Sequence, residues 1–446
     1  MENSKYFIML FVFVIIGIFL GVLYSAYSNL KLSNFNTDTS NYLSSGNKLS
    51  NLDNIESLSF YASGDLSGDI ANNSTNANTP SLVLTPIDIK AVYLTGWTAG
   101  TKNKRTTIIE NLKNYGYNAV VIDIKDEAGN ISYKSNVQTA IDTLASKNMI
   151  ADIKNVIDDF HNSDIYVIGR IVTFKDPNYA KKIPDNAYKT ADGSLWKDYS
   201  GNNWPNPYNV ASWDYPISLA KEAATLGFDE IQFDYIRFPS SEGKTKNISF
   251  GFDSETKTKS DIINEFLRQV MKELKNYNVV ISADVFGITT KKSGDFEHIG
   301  QDFLEIAKIV DVICPMIYPS HYGLGEYGIE APDKEPYKIV KRALEDAQKQ
   351  YALTSGDIKL AKIRPYLQDF TASWLKKGKY IVYGTTAVTA QLQACHDLDI
   401  NDFILWDPSN KYAFEAINNV ITPTFESNLS GDSLKDVSGE KILQSN

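Results

Sequence analysis

Residues 227–239 read GFDEIQFDYIRFP. Within 229–236, Ile231 and Phe233 fall on one parity and Glu230, Gln232 and Asp234 on the other, which is the two-residue period of a strand whose faces meet different surroundings. Gly227 and Pro239 punctuate the run. Helical patterns flank it over 211–226 and 260–276, and a strand set between helices pairs in parallel through crossovers. The same texture continues in both directions: apolar, β-branched runs occur at 91–97, 119–124, 165–172, 279–286, 311–318, 361–367 and 402–406. The remaining helical patterns lie at 104–115, 150–162, 299–309, 336–352, 386–398 and 410–419. Eight strands alternating with helices predict an α/β fold closed as a (β/α)8 barrel. An open doubly wound sheet would want a glycine-rich first turn, but the first strand runs into Gly96-Trp97-Thr98-Ala99-Gly100, which is not G-x-G-x-x-G.

The chain has 446 residues, 43% of them hydrophobic and 12% aromatic, enough for a large core. Outside the barrel the texture changes. Residues 6–24, YFIMLFVFVIIGIFLGVLY, form an uncharged run long enough to cross a bilayer as a transmembrane helix. With Lys5 and the α-amine on its short flank, 1–28 is expected to be a single-pass membrane anchor that places the rest on the extracytoplasmic side. Ala26-Tyr27-Ser28 is a small-x-small sequence, so secretion after signal cleavage is the alternative. Residues 29–86, dominated by Ser, Asn, Thr, Asp and Gly, are expected to be a flexible, disordered stalk. The barrel is expected over 87–421 and a polar tail over 422–446.

Forty-four basic against 54 acidic residues give a net charge of −10, which opposes nucleic acid as a partner. Cys314 and Cys395 stand without a C-x-x-C, there are four histidines, and neither H-E-x-x-H nor a P-loop occurs, so no metal and no cofactor is expected. The acidic cluster over 123–129 lacks the D-x-D-x-D-G spacing of a calcium loop and reads as a solvated turn. Cys314, in an apolar run, reads as a small buried hydrophobe.

In a barrel, alternate residues of each strand face the lumen, and sites form where strands end in the βα loops. That parity puts Asp234 and Asp284 inside near the ends of the fourth and fifth strands. It places Asp123 with Lys125 on the second, Arg170 on the third, and Trp406-Asp407 at the close of the eighth. Carboxylates, cations and aromatic rings at one mouth suit a sugar cleft, since rings stack on pyranose faces and carboxylates bond hydroxyls, so a polysaccharide is the expected partner. The long insertion over 173–208 is expected to contribute Trp196 and Trp204, either as a wall over the cleft or packed on the barrel rim.

The segment GFDEIQFDYIRFP, taken with VYLTGWTAG (92–100), VVIDIKDEAGN (120–130), ISADVFG (281–287), CPMIYPSHY (314–322), RPYLQDF (364–370) and FILWDPSN (403–410), resembles the DUF4015-like family of glycoside hydrolase (β/α)8 barrels, related to the α-amylase superfamily. The resemblance spans about residues 88–420. It implies a glycosidase whose nucleophile matches Asp234 and whose general acid matches Asp284, where relatives usually carry the longer Glu. Independently, glycosidic cleavage needs one ionised carboxylate and one carboxylic acid flanking the bond, and neighbouring strands can hold such a pair. Asp234 and Asp284 could instead be structural members of an ion pair with Arg170 or Arg237. Trp97, Asp123, Lys125, Arg170, Trp204, Tyr235, Arg237, Tyr318, Gln368, Trp406 and Asp407 are the expected substrate-lining residues. The reading is a membrane-anchored extracytoplasmic glycoside hydrolase; the alternative is a non-catalytic glycan-binding barrel of the envelope. Polysaccharide deacetylation is disfavoured by the shortage of metal ligands.

Overall fold

The computed structural model describes residues 88–240, 248–291 and 297–420. The expected anchor (1–28), stalk (29–86) and tail (422–446) lie outside the described residues. Among the described residues no helix is long and apolar enough to cross a membrane.

The barrel strands are β1 (Lys90–Leu94), β2 (Ala119–Lys125), β3 (Tyr166–Val172), β4 (Glu230–Asp234), β5 (Val280–Phe286), β6 (Val312–Ile317), β7 in two pieces (Lys362–Ile363 and Tyr366–Gln368) and β8 (Phe403–Trp406). Each pairs in parallel with its sequence neighbours, and β1 closes the ring on β8 through the Ala91↔Ile404 register. The predicted closed parallel barrel is therefore the observed one. Between the strands run α1 (Lys102–Tyr115), α2 (Ile153–His161), α3 (Asp214–Leu226), α4 (Lys259–Leu274), α5 (Phe303–Ala307), α6 (Pro336–Ala352) and α7 (Thr385–His396). The pattern over 410–419 condenses to a 3-10 helix, Phe414–Asn419, and that over 299–309 to the five residues of α5. The run over 361–367, expected as one strand, breaks at Arg364-Pro365, where proline has no N–H to give a ladder.

Local chemistry sets the helix ends. Thr258 and Asp261 form a reciprocal capping box at the start of α4, and Gly227 ends α3 in the left-handed region at φ 106°. Gly227 thus turns the chain directly into β4.

Two apolar layers form, as the strand parity requires. Ile231 and Phe233 face outward, with Phe233 edge-on to Phe266 of α4. Burying a ring of that size stabilises the fold by about 1.5–3 kcal/mol. Ala91, Tyr93, Val121, Ile168, Val280, Cys314 and Ile404 fill the lumen. Polar side chains in the lumen lie in successive levels. At the foot, Arg364 Nη1 donates to both oxygens of Glu230 (2.8 and 2.9 Å), and its Nε reaches Asp402 Oδ1 at 3.4 Å. Midway, the Tyr366 hydroxyl donates to Gln232 Oε1 at 2.5 Å. The top level holds the carboxylates that the sequence brought to notice.

Candidate active site

Asp123, Arg170, Asp234 and Asp284 sit on four consecutive strands at the carboxyl end of the barrel. Arg170 is the hub. Its Nη1 donates to Asp123 Oδ1 at 2.6 Å, while Nε and Nη2 both donate to Asp234 Oδ2 at 3.0 and 2.5 Å. The Tyr93 hydroxyl bonds the other oxygen of Asp123, Oδ2, at 2.5 Å. The free oxygen of Asp234, Oδ1, accepts the backbone N–H of Tyr235 at 2.5 Å. That contact accompanies a left-handed backbone at Tyr235, φ 51°, an arrangement that L-residues adopt at a cost and that clusters at functional sites.

Asp284 has a different environment. It is buried, Arg170 Nε stands 4.0 Å from its Oδ2, and neither oxygen has an N–H or O–H donor; the neighbouring Cys314 thiol offers only a weak one. Burial, and after it the charge of Asp234, push its pKa well above the ordinary carboxylate value, with Arg170 opposing. Asp123 is pushed up to about 6, chiefly by burial, again against the pull of Arg170. The Arg170 guanidinium bonds Oδ2 of Asp234 and approaches Oδ2 of Asp284, so the two oxygens are at most about 7 Å apart.

An aromatic bank borders the same mouth on the β6–β8 side. Trp406 packs against Tyr318 (5.5 Å between centroids), Phe370 (5.2 Å) and Tyr93 (6.1 Å), and Trp374 stacks on Phe370. Trp374 and Trp406 remain half-buried, which leaves ring surface for a sugar face. On the β4–β5 side stand Tyr235 and Arg237, with the guanidinium of Arg237 over the rings of Trp204, Tyr235 and Phe286.

Several expected residues are placed elsewhere. Lys125 leaves the lumen because the β2–β3 register shifts between Asp123 and Lys125: Asp123 opposes Arg170, but Lys125 opposes the outward-facing Ile171. The bulge turns its ammonium into the outer layer, where it is fully buried against Asp176 Oδ2 at 2.7 Å and over the Tyr215 ring. Trp97 is 60% exposed on the helical turn Gly96–Gly100. Trp196 and Trp204 are buried in the outer apolar layer, the latter bonded through Nε1 to Asp198, so they are rim packing, with no ring face open to a glycan.

Gln368 is sealed: its amide donates to Asp333 Oδ1 and Phe370 O, and its carbonyl accepts from Ser320 N and Oγ. Nothing of that side chain remains for a hydroxyl. Asp407 accepts the N–H groups of Ser409 and Lys411 and so organises its own loop. Among the described residues Arg237 forms no ion pair with a carboxylate. The sequence reading missed Tyr93, whose signal was its lumen parity with Ala91. It also missed Trp374 and Phe370, which follow β7 without any periodic pattern. Among the described residues no group of three or more His, Cys, Asp or Glu side chains could hold a metal ion.

A closed parallel barrel with a charged cluster and an aromatic bank at its carboxyl mouth has the architecture of a glycoside hydrolase domain. The profile of the DUF4015 family, described as "Putative glycosyl hydrolase domain", matches residues 91–412. The chain belongs to this family and is of the glycosidase class, a hydrolase acting on glycans. Among solved structures, the glycoside hydrolase domain of PgaB (BpsB) from Bordetella bronchiseptica is similar in fold, with TM-score 0.51 and 12% identity over 75% of this chain and 99% of that one. A hypothetical protein from Ruminiclostridium thermocellum is 43% identical over 44% of this chain and 97% of its own, with TM-score 0.41. The C-terminal domain of a chitinase-like protein from Desulfitobacterium hafniense matches with TM-score 0.48 and 12% identity over 74% of this chain and 98% of that one. No curated protein matches the chain.

Proposed function

We propose that the protein is a membrane-anchored, extracytoplasmic glycoside hydrolase that cleaves O-glycosidic bonds of a polysaccharide, with Asp234 as nucleophile or base and Asp284 as general acid. The observation that carries the reading is the asymmetry of the two carboxyl groups: Asp234 bonds a guanidinium twice, while Asp284, a strand away, has no N–H or O–H donor and a raised pKa. Two carboxyl groups whose surroundings drive their proton affinities apart can divide the acid and base work. Asp284 would deliver its proton to the leaving glycosidic oxygen, and Asp234 would meet the positive charge developing at the anomeric carbon or direct a water to it. Rings of Trp406 and Trp374 would receive sugar faces beside the pair. The apolar run over 6–24 supports the anchored placement, and the stalk over 29–86 would let the barrel reach a surface glycan.

The test is release of reducing ends from a panel of surface polysaccharides by the full chain, with Asp234→Asn and Asp284→Asn as controls. Turnover that both substitutions abolish in folded protein supports the proposal; turnover that survives both removes the assignment.

A second reading, a non-catalytic glycan-binding barrel, is favoured by one observation: both oxygens of Asp234 are already hydrogen-bonded. Retention of a glycan by the wild type with no release from any member of the panel would select it.

A further inference from the structure

Five cationic side chains are buried among the described residues: Arg105, Lys125, Arg170, Arg237 and Arg364. Four of them have carboxylate partners, respectively Asp159, Asp176, the Asp123–Asp234 pair, and Glu230 with Asp402. Arg237, 7% exposed, has none. Its Nη1 donates to the carbonyl of Phe238 at 3.0 Å, and the guanidinium is held among rings, 4.6 Å from the centroid of Phe286, 4.8 Å from Tyr235 and 5.2 Å from Trp204. Burial lowers its pKa, with Tyr235 and then the more distant carboxylates Asp234 and Asp198 opposing. Rings hold a guanidinium flat and leave its N–H edge directed to whatever is planar and negative.

The guanidinium neighbours the carboxylate cluster. Tyr235 follows Asp234 in the chain, and Phe286 ends β5 two residues after Asp284. A second cation, Lys175, which has no carboxylate partner among the described residues, sits 4.8 Å from the centroid of the same Tyr235 ring and 3.5 Å from its hydroxyl. Among the described residues a buried cation without a carboxylate partner stands out in a chain of net charge −10, because the other buried cations are neutralised by neighbours. A buried, unpaired charge is costly to the fold and strengthens any counter-charge that reaches it.

We infer that Arg237, flanked by Lys175, is a subsite for a carboxylate carried on the sugar ring bound beside Asp234, so that the substrate is a uronate-bearing, acidic polysaccharide. The planar carboxylate of a hexuronate presents two oxygens to the guanidinium fork, a match that a hydroxymethyl group cannot make. The inference rests on the glycoside hydrolase reading, whose substrate class it names.

The experiment reads binding without turnover, using the full chain carrying Asp284→Asn, which leaves the Arg170 pairs intact. It is presented with uronate-bearing polysaccharides, the same polymers after carboxyl reduction, and sulfated and unsubstituted neutral polymers. Retention is expected on uronate members and about tenfold weaker after carboxyl reduction. Arg237→Gln in the same background is expected to erase that preference while leaving affinity for the reduced polymers within about twofold, and Lys175→Met to weaken it by a smaller factor. Arg237→Lys, which keeps the charge and loses the fork, retains part of the preference and covers the case in which the glutamine variant does not fold.

Equal retention of reduced and unreduced polymers, retention of sulfated or neutral members alone, or an unchanged preference in folded Arg237→Gln overturns the subsite. Reducing-end release by the wild type from a neutral polymer alone would keep the hydrolase and remove the subsite. Uronate retention with no release by the wild type would do the reverse, and retention of nothing removes both.

Discussion

Two nitrogens of Arg170 converge on one oxygen of Asp234, Nε at 3.0 Å and Nη2 at 2.5 Å, while the third, Nη1, holds Asp123. Asp234 is thereby fixed in position by a side chain from the neighbouring strand. The expectation is that Asp234→Asn lowers kcat by about 10³-fold or more with KM little changed, since the interaction it removes is made in the transition state. It also leaves Arg170 with one carboxylate, so the thermal midpoint falls. Steady-state kinetics together with a melting curve check both, and a variant that loses stability but keeps its kcat would return Asp234 to a purely structural place.

Asp284 behaves oppositely. Its folded pKa is raised, so the folded state holds a proton that the unfolded chain releases near 3.9. Stability is full below that value and declines as pH rises through the folded pKa. Asp284→Asn removes this slope, so the variant gains on the wild type as pH goes from about 4 to 8, while activity falls by about 10²–10⁴-fold. Denaturant melts across that range read the effect. Asp123, pushed up to about 6, and Asp369, pushed up to about 8, both mainly by burial, are among the groups that contribute to the slope remaining in the variant. Parallel curves for the two proteins would show that Asp284 does not carry the proton.

Lys125 and Asp176 form a buried pair at 2.7 Å outside the lumen. Lys125→Met removes the cation from the buried Asp176, which keeps the N–H of Tyr179, and is expected to cost about 3–5 kcal/mol with KM within about twofold of wild type. Gly129→Ala should act on the same pair: at φ 80° an added Cβ would stand 2.0 Å from Asp176 Oδ1. A raised KM with normal stability in Lys125→Met would place the ammonium in the cleft after all.

Tryptophans separate by burial. Trp204, 3% exposed and bonded to Asp198, is a packing residue, and Trp204→Ala is expected to destabilise by about 3–5 kcal/mol. Trp406, half-buried on the aromatic bank, is expected on truncation to weaken glycan binding by about 1–2 kcal/mol with a smaller loss of stability. Calorimetry of both variants with a retained glycan sorts them; interchange of the two effects would reverse the assignment.

The barrel was legible because parity repeats on every strand: Glu230, Gln232 and Asp234 all face in, and Ile231 and Phe233 all face out. The carboxylate cluster followed from the same count on neighbouring strands. Lys125 did not, because counting by twos fails across a bulge, and nothing in VVIDIKDEAGN announces one. Trp204, Gln368 and Asp407 were misplaced for a different reason. They lie at or beyond strand ends, where composition says that a ring or an amide is near the mouth but not which partner has already taken it. The break of β7 had a visible cause in Pro365, and the shortening of α5 had none.

The foot of the cylinder is closed by Arg364, Glu230 and Asp402, and the level above it by Tyr366 and Gln232. No strand of polymer could be drawn through such a stopper. A long chain must therefore lie across the open rim and depart on the side by which it came, which makes the βα loops, and not the bore, the track along which successive residues are presented.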